Sequence, residues 1–165
     1  MDKNALLDTL DRVQESIRAA DQKAGILLTT IGVLLAFPTP TLLVAERAAN
    51  APPLPLAAVL LAIGALVSYI VSLISCFLVL FPRTDNISHT FSLIYWGNVG
   101  SLDLNAYIDR AKAQTETGYL EDLACQVHVN AVIANRKHCH FKMAVRALAL
   151  GIALLIVCYG VIAWL

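Results

Sequence analysis

Long apolar stretches without a charged residue alternate with polar, charged segments along the chain. The first stretch lies between Lys23 and Glu46, the second between Arg47 and Arg83, and the third follows Arg146. A helix needs roughly 20 mostly apolar residues to cross the hydrocarbon core of a bilayer, which is about 30 Å thick. The pattern therefore predicts three transmembrane helices, at residues 24–45, 55–81 and 146–165.

Two prolines, Pro38 and Pro40, interrupt the first predicted span. Proline removes a helical hydrogen bond and clashes with the preceding turn, so a helix kinks or ends there. We favour a helix that kinks at Pro38 and continues to Ala45. The alternative is a helix that ends at Pro38 and turns back as a re-entrant hairpin.

Polar segments next to two of these spans carry the seam pattern of packed helices, with apolar residues at alternating steps of four and three. Residues 1–23 are predicted to form a cytoplasmic helix that continues into the first span. The pattern recurs from Leu120 to Val145, and no Gly or Pro lies between Tyr119 and Leu150, so one helix can run into the third span. Two such helices would form a cytoplasmic stalk.

The cytoplasmic helical region, taken as residues 82–145, begins with two further patterns. The sequence LDLNAYIDRAKAQ predicts a short amphipathic helix. The sequence NISHTFSLIYWGNV combines β-branched and aromatic residues and receives no assignment. The whole pattern predicts an all-α integral membrane protein with three transmembrane helices, two of them extended into a cytoplasmic helical stalk.

The composition supports the membrane assignment. Hydrophobic residues make up 58% of the chain and charged residues 15%, and the mean hydropathy is +0.69. Average soluble domains have about 45–50% apolar and about 25% charged residues. Because 12 basic and 12 acidic residues cancel, the net charge attracts no polyanion, and no nucleic-acid partner is expected.

Basic residues near the spans predict the orientation, since cytoplasmic loops are enriched in Lys and Arg. They are concentrated before the first span and in the long connection after the second, whereas Arg47 alone lies between the first two spans. We therefore predict a cytoplasmic N-terminus and a C-terminus on the other side of the membrane.

Residues with catalytic or metal-binding potential form no recognised motif. The sequence has no phosphate loop, nucleophile elbow, HExxH or CxxC pair, so neither an enzyme nor a cofactor is expected. Cys125 and His128 could share a helix face toward a metal ion, but too few further ligands join them, and no metal site is predicted. Glu121 and Asp122 are interpreted as solvated acids on a helix face.

Small residues recur along one face of the second span. They are Gly64, Ser68, Ser72 and Ser75. Small side chains let helices approach closely in lipid, where no hydrophobic force drives their association. The face therefore predicts either tight packing within one protomer or a surface for self-association or pore lining.

Charged and amide residues gather where the two stalk helices approach the membrane. This collar comprises Arg18, Asp21, Lys23, Asn135, Arg136 and Lys137. One interpretation is that its basic residues, together with Lys142, contact anionic lipid headgroups. The other is a site for a phosphate or another small anionic ligand, held by charge-assisted hydrogen bonds.

The segments RAADQKAGILLTTIGVLLA, FSLIYWGNV and LACQVHVNAVIANRKHCHFKMAV, in this order, resemble the Pycsar transmembrane effector family. The most specific pieces are Ala-Asp-x-Lys-Ala at residues 20–24 and Ala-x-Arg-Lys at residues 134–137. The resemblance implies a small helical protein of the bacterial inner membrane that belongs to an anti-phage system. Together with the orientation predicted from Lys and Arg, it places the C-terminus in the periplasm. It also implies that a partner pyrimidine nucleotide cyclase makes cyclic CMP or cyclic UMP upon infection. The effector would then impair the membrane and kill the cell before phage matures.

Three functions are compatible with these features, and the first two belong to different classes. The favoured function is a homo-oligomeric effector that a cyclic pyrimidine nucleotide activates and that impairs the inner membrane, causing abortive infection. The alternative is a membrane-anchored scaffold whose cytoplasmic helices dock a partner protein and never open the bilayer. A small transporter or proton-linked channel ranks third, since no acid lies inside any predicted span.

Overall fold

The polypeptide is helical throughout its regular structure, in a computed structural model that describes residues 2–36, 56–81 and 91–164. The helices of these ranges, numbered in chain order, are α1 Lys3–Ala36, α2 Leu56–Leu80, α3 Trp96–Val99, α4 Leu104–Ala113 and α5 Glu116–Trp164. No strand occurs in these ranges. The predicted all-α class is therefore confirmed for the described residues.

The helices α1 and α5 are the long helices that the seam pattern predicts, with 34 and 49 residues. Side chains fix where they begin. The Asp2 carboxylate accepts a hydrogen bond from the Asn4 amide at 3.0 Å, and the Thr115 hydroxyl accepts one from the Gly118 amide at 3.1 Å. Such caps satisfy amide groups that have no partner within the first helical turn. The prediction that each helix runs unbroken from a polar into an apolar segment is confirmed for the described residues.

The connection between the long helices contains two short ones. The predicted amphipathic helix is α4, and the Asp103 carboxylate caps it by accepting a hydrogen bond from the Ala106 amide at 2.9 Å. In the segment without a prediction, residues 91–95 are irregular and α3 is a single turn.

Two helices of the described ranges are long and apolar enough to cross a membrane: α2, and α5 between Glu116 and Ile162. The predicted second and third spans correspond to α2 and to the apolar part of α5. The described part of α1 ends at Ala36, and the predicted kink at Pro38 lies outside the described residues. The first span, and with it the total of three, stays a prediction.

The chain divides into two compact units. We call Met1–Ala19 with Pro82–Lys137 the polar unit, and Ala20–Phe81 with His138–Leu165 the apolar unit. The long helices α1 and α5 contribute residues to both units.

The apolar unit has a core of small and aliphatic side chains from α1, α2 and α5. One cluster joins Ile31 of α1, Tyr69 and Cys76 of α2, and Ala144 and Leu148 of α5. Alanines at the contacts let the helix backbones lie close together, which is how helices associate in lipid.

Among the described residues of the polar unit, a few apolar side chains are buried and several side chains form hydrogen bonds with the backbone. Leu123 is fully buried, and Leu10 is 8% exposed. The buried Ser92 hydroxyl accepts hydrogen bonds from the amides of Ile94 and Tyr95, at 3.1 and 3.0 Å. These two bonds turn the chain just before α3.

Candidate functional site

A cleft of about 390 Å³ lies within the polar unit. Three pieces of the chain form it: the irregular segment before α3, the C-terminal end of α4 and the first turns of α5. Its lining includes Phe91, Leu93, Arg110, Gln114, Thr115 and Asp122. The cleft thus presents an aromatic ring, a guanidinium group, an amide, a hydroxyl and a carboxylate side by side.

Arg110 and Phe91 form a cation–π pair in this cleft. The guanidinium carbon of Arg110 lies 4.4 Å from the centroid of the Phe91 ring. Arg110 stands in the last turn of α4, where a positive charge is favourable against the negative end of the helix dipole. When the flat face of a guanidinium group stacks on an aromatic ring, the N–H groups at its edge can still donate hydrogen bonds to an anion.

Asp122 connects α5 to the segment before α3. Its Oδ2 atom accepts a hydrogen bond from the Leu93 amide at 2.9 Å, and the side chain is half-buried. The interpretation of Asp122 as a solvated acid is therefore wrong, because the loop folds back over this face of α5. A carboxylate has about four lone-pair sites, so one bond to an amide leaves it free to accept further hydrogen bonds.

The tight connection from α4 to α5 contributes two residues to the lining of the cleft. Gln114 ends α4 in an extended conformation, and Thr115 caps α5. Because only these two residues separate the helices, Arg110 on one helix and Asp122 on the next both reach the same cleft.

The small-residue face of α2 packs within the chain, against α5. Ser72 is fully buried, and its hydroxyl donates a hydrogen bond to the Ala144 carbonyl at 2.8 Å. A Cβ atom built on Gly151 would lie 3.3 Å from the Cβ of Ser68, and one on Gly64 would lie 3.3 Å from a methyl group of Leu154. The small-residue face of α2 therefore packs within one protomer, which is the first of the two arrangements that its pattern predicts.

The other hydroxyl groups of α2 differ from that of Ser72 in their hydrogen-bond partners. Ser68 and Ser75 donate to carbonyl groups of the preceding turn, those of Gly64 and Val71, at 2.8 and 2.7 Å. Such bonds satisfy a hydroxyl in an apolar environment without a second helix. The Tyr69 hydroxyl is buried, and no group in the described part of the chain forms a hydrogen bond with it.

The six collar residues differ in exposure. Arg18, Lys23, Asn135 and Arg136 are exposed, Asp21 is half-buried, and Lys137 is 6% exposed. Both Asp21 and Lys137 have interaction partners within the chain. A ligand role for the collar stays a prediction.

The four cysteines all fall within the described ranges and are free thiols. No group of three or more His, Cys, Asp or Glu residues in these ranges lies close enough together to hold a metal ion.

The sequence pattern does not predict the cleft. Phe91 lies in the segment without an assignment, Arg110 contributes there only as a basic residue of the long connection, and Asp122 is expected to be solvated. The sequence pattern includes Gln114 in the amphipathic helix and begins the next apolar pattern at Leu120, so it does not mark the tight connection, in which only Gln114–Thr115 separates α4 from α5. This connection brings α4 and α5 together but does not indicate the position of Phe91.

Comparison with known proteins identifies the family. The model of the Pycsar effector protein domain matches residues 5–164. The chain belongs to the Pycsar effector family. Neither the curated proteins nor the solved structures include a match to the chain.

Membership of this family indicates a general function. Pycsar effectors are cyclic-nucleotide-regulated anti-phage proteins, and they serve signalling by cyclic pyrimidine nucleotides. The family together with the two long apolar helices α2 and α5 indicates a membrane protein. The resemblance found in the sequence is thereby confirmed.

Proposed function

We propose that this Pycsar effector impairs the bacterial inner membrane when it binds cyclic CMP or cyclic UMP. A partner pyrimidine nucleotide cyclase would make the nucleotide upon infection, and the cell would die before phage matures. The observation that carries the proposal is the family match over residues 5–164, which includes both apolar helices. The effector acts in this proposal without catalysis.

Exposed side chains of α2 support a position in lipid. The large apolar residues on its outer side are each at least 47% exposed, and they are Leu60, Ile63, Val67, Ile70, Ile74 and Phe77. A soluble monomer rarely exposes an apolar surface of this extent. In a bilayer the same side chains contact acyl chains, which are as apolar as they are.

The proposed topology has three spans, at residues 24–45, 55–81 and 146–165. The N-terminus and residues 82–145 lie in the cytoplasm, and the C-terminus lies in the periplasm. This orientation agrees with the distribution of Lys and Arg. The effector acts as a homo-oligomer in this proposal, and because the small-residue face of α2 packs against α5 of the same chain, copies would meet through other surfaces.

Continuous helices support a link between ligand binding and the membrane. Residues Glu116–Lys137 of α5 belong to the polar unit, and the remainder of the helix belongs to the apolar unit. A ligand shifts a conformational equilibrium by its difference in affinity for the two states. A nucleotide bound by the polar unit would therefore change the packing of spans that share a helix with it.

Propidium uptake in living cells tests the proposal. The effector is produced together with a pyrimidine nucleotide cyclase, and the matched control is a cyclase without catalytic activity. We expect cells to take up propidium only with the active cyclase. Equal uptake with both cyclases would overturn the proposal.

A scaffold function is the second candidate. Trp96 and Leu104 of the polar unit are 71% and 72% exposed, and exposed apolar side chains of this kind suit a protein partner. A scaffold would leave cells impermeable to propidium in both arms, while retaining a partner protein at the membrane.

A further inference from the structure

We propose that the cleft of the polar unit is the nucleotide site, in which Arg110 binds the cyclic phosphate and Phe91 stacks on the pyrimidine base. This inference rests on the proposed function for the class of ligand. It deepens that function by assigning the ligand to residues outside the collar. The cleft lies wholly within one compact unit of the chain.

The size of the cleft fits a single nucleotide. Its volume of about 390 Å³ falls in the range of roughly 300–1,000 Å³ that small-molecule sites occupy. Such sites combine apolar walls with a few converging polar groups. Here Phe91, Leu93 and Ala113 supply the apolar part of the lining.

Arg110 and Phe91 together match a ligand with one planar ring and one negative charge. The Phe91 side chain is 43% exposed, so part of its ring remains available for contact. Bases without a pairing strand stack on aromatic rings and on guanidinium planes. The N–H groups at the edge of the Arg110 guanidinium suit two phosphate oxygens.

The Asp122 carboxylate adds a preference for a base over a bare anion. It can accept a hydrogen bond from an N–H group on the edge of a base, a contact that the phosphodiester of a lipid headgroup does not offer. Cytosine offers its amino group and uracil its ring N–H. The amide of Gln114, also in the lining, can donate to a carbonyl group of either base.

Equilibrium binding to the full-length effector in phosphatidylcholine nanodiscs tests the site. Cyclic CMP, cyclic UMP and inorganic phosphate are the separate ligands. Arg110→Ala and Phe91→Leu should each weaken binding of the nucleotide about tenfold or more, because each removes a direct contact. Lys112→Ala and Trp96→Leu are the matched controls, since both residues are exposed neighbours outside the cleft lining. The controls should bind as the wild type does.

Alkylation of an introduced thiol gives a second readout that does not depend on removing a contact. Ala113 lines the cleft and is exposed, whereas Ala111 of the same helix is exposed but does not line it. The nucleotide should slow alkylation of an Ala113→Cys variant several-fold and leave an Ala111→Cys variant unaffected. Mass spectrometry of the labelled peptide separates these sites from the native cysteines.

The outcomes separate the inference from the function on which it rests. If the wild type binds a nucleotide but the cleft variants bind as well as the controls, the inference is overturned while the proposed function stands. The inference is likewise overturned if Arg136→Ala in the collar abolishes binding and Arg110→Ala does not. If the wild type binds neither nucleotide, both fall. Binding of inorganic phosphate as tight as that of the nucleotides would also overturn the inference.

Discussion

The polar and apolar units of this effector are stabilised by different kinds of contact. In the polar unit, charged groups contact rings and amides: Arg110 lies over Phe91, Lys3 lies 5.1 Å from the ring centroid of Tyr119, and Asp122 accepts from the Leu93 amide. In the apolar unit, glycine, alanine and serine let helices approach, and Gly151 of α5 leaves room for Ser68.

The two kinds of contact suit two different functions, recognition of a small ligand and association of helices in lipid. Charged and polar side chains around a cleft provide directional groups that can recognise a small ligand. Close contact between helices through small residues holds spans together where water is absent and where burial of apolar surface gains nothing.

Truncation of a buried leucine should have the largest effect, and the effect should depend on the unit. Leu123 and Leu148 both belong to α5 and are 0% and 7% exposed, the first in the polar unit and the second in the apolar unit. Leu123→Ala should lower the free energy of unfolding by about 2–5 kcal/mol. For Leu148→Ala we expect about half of that or less, because lipid replaces water around the unfolded span and only packing is lost.

Denaturation of the effector in nanodiscs, followed by circular dichroism, measures both values. Leu104→Ala is the control, since Leu104 is 72% exposed. Equal losses for Leu123→Ala and Leu148→Ala would mean that the two units share one environment.

Added volume at a close helix contact should have the next largest effect. In Gly151→Leu the new side chain meets Ser68, Tyr69 and the Ala65 carbonyl, all within 3.4 Å of the Cβ position. Forcing the helices apart should lower the free energy of unfolding by about 1–3 kcal/mol. Gly160→Leu is the matched control on the same helix, because nothing lies within 4 Å of a Cβ atom there. A similar loss for both variants would contradict the tight contact between α2 and α5.

Removal of the Asp122 carboxylate should lower the free energy of unfolding by less than the added side chain at Gly151 does. Asp122→Ala removes the acceptor of the Leu93 amide and should lower the free energy of unfolding by about 1 kcal/mol. Asp122→Asn keeps an oxygen acceptor for the Leu93 amide, so it should lower the free energy of unfolding by less than Asp122→Ala does. Hydrogen exchange at the Leu93 amide is the direct measurement, and Glu121→Ala at an exposed neighbour serves as control. Unchanged exchange in Asp122→Ala would show that the bond does not hold the segment.

Removal of single hydroxyl groups in α2 should change the free energy of unfolding least. Only one of the two removals below should be destabilising. Ser72→Ala removes the hydrogen bond to α5 and should lower the free energy of unfolding by about 0.6 kcal/mol. Tyr69→Phe removes a buried hydroxyl that has no partner among the described residues, and it should be neutral or slightly stabilising. Denaturation in nanodiscs measures both, and a larger loss for Tyr69→Phe than for Ser72→Ala would reverse our assignment of these hydroxyls.

The helices could be predicted because their signal is local. The apolar periodicity and the lack of Gly and Pro indicate one unbroken helix from Tyr119 to Leu150, and α5 covers that range. The charge-free windows likewise indicate α2 and the apolar part of α5, because spanning a bilayer depends on length and polarity alone.

The contacts between helices could not be predicted in this way. The spacing of Gly64, Ser68 and Ser72 is the same whether the partner helix belongs to this chain or to another copy. Cleft formation depends on Phe91, Arg110 and Asp122, which lie far apart in sequence. They meet because the connection between α4 and α5 is tight and because the irregular segment 91–95 folds against these helices. Neither the connection nor the segment has a periodic sequence pattern from which its fold could be predicted.

Dye release from proteoliposomes tests the central claim most directly. Purified effector is reconstituted into liposomes that contain a self-quenched dye, and cyclic CMP or cyclic UMP is added to the exposed polar units. We predict that the wild type releases dye with at least one of the two nucleotides and retains it without them. Liposomes that keep their dye with both nucleotides, in a preparation whose effector is folded and inserted, would contradict the account.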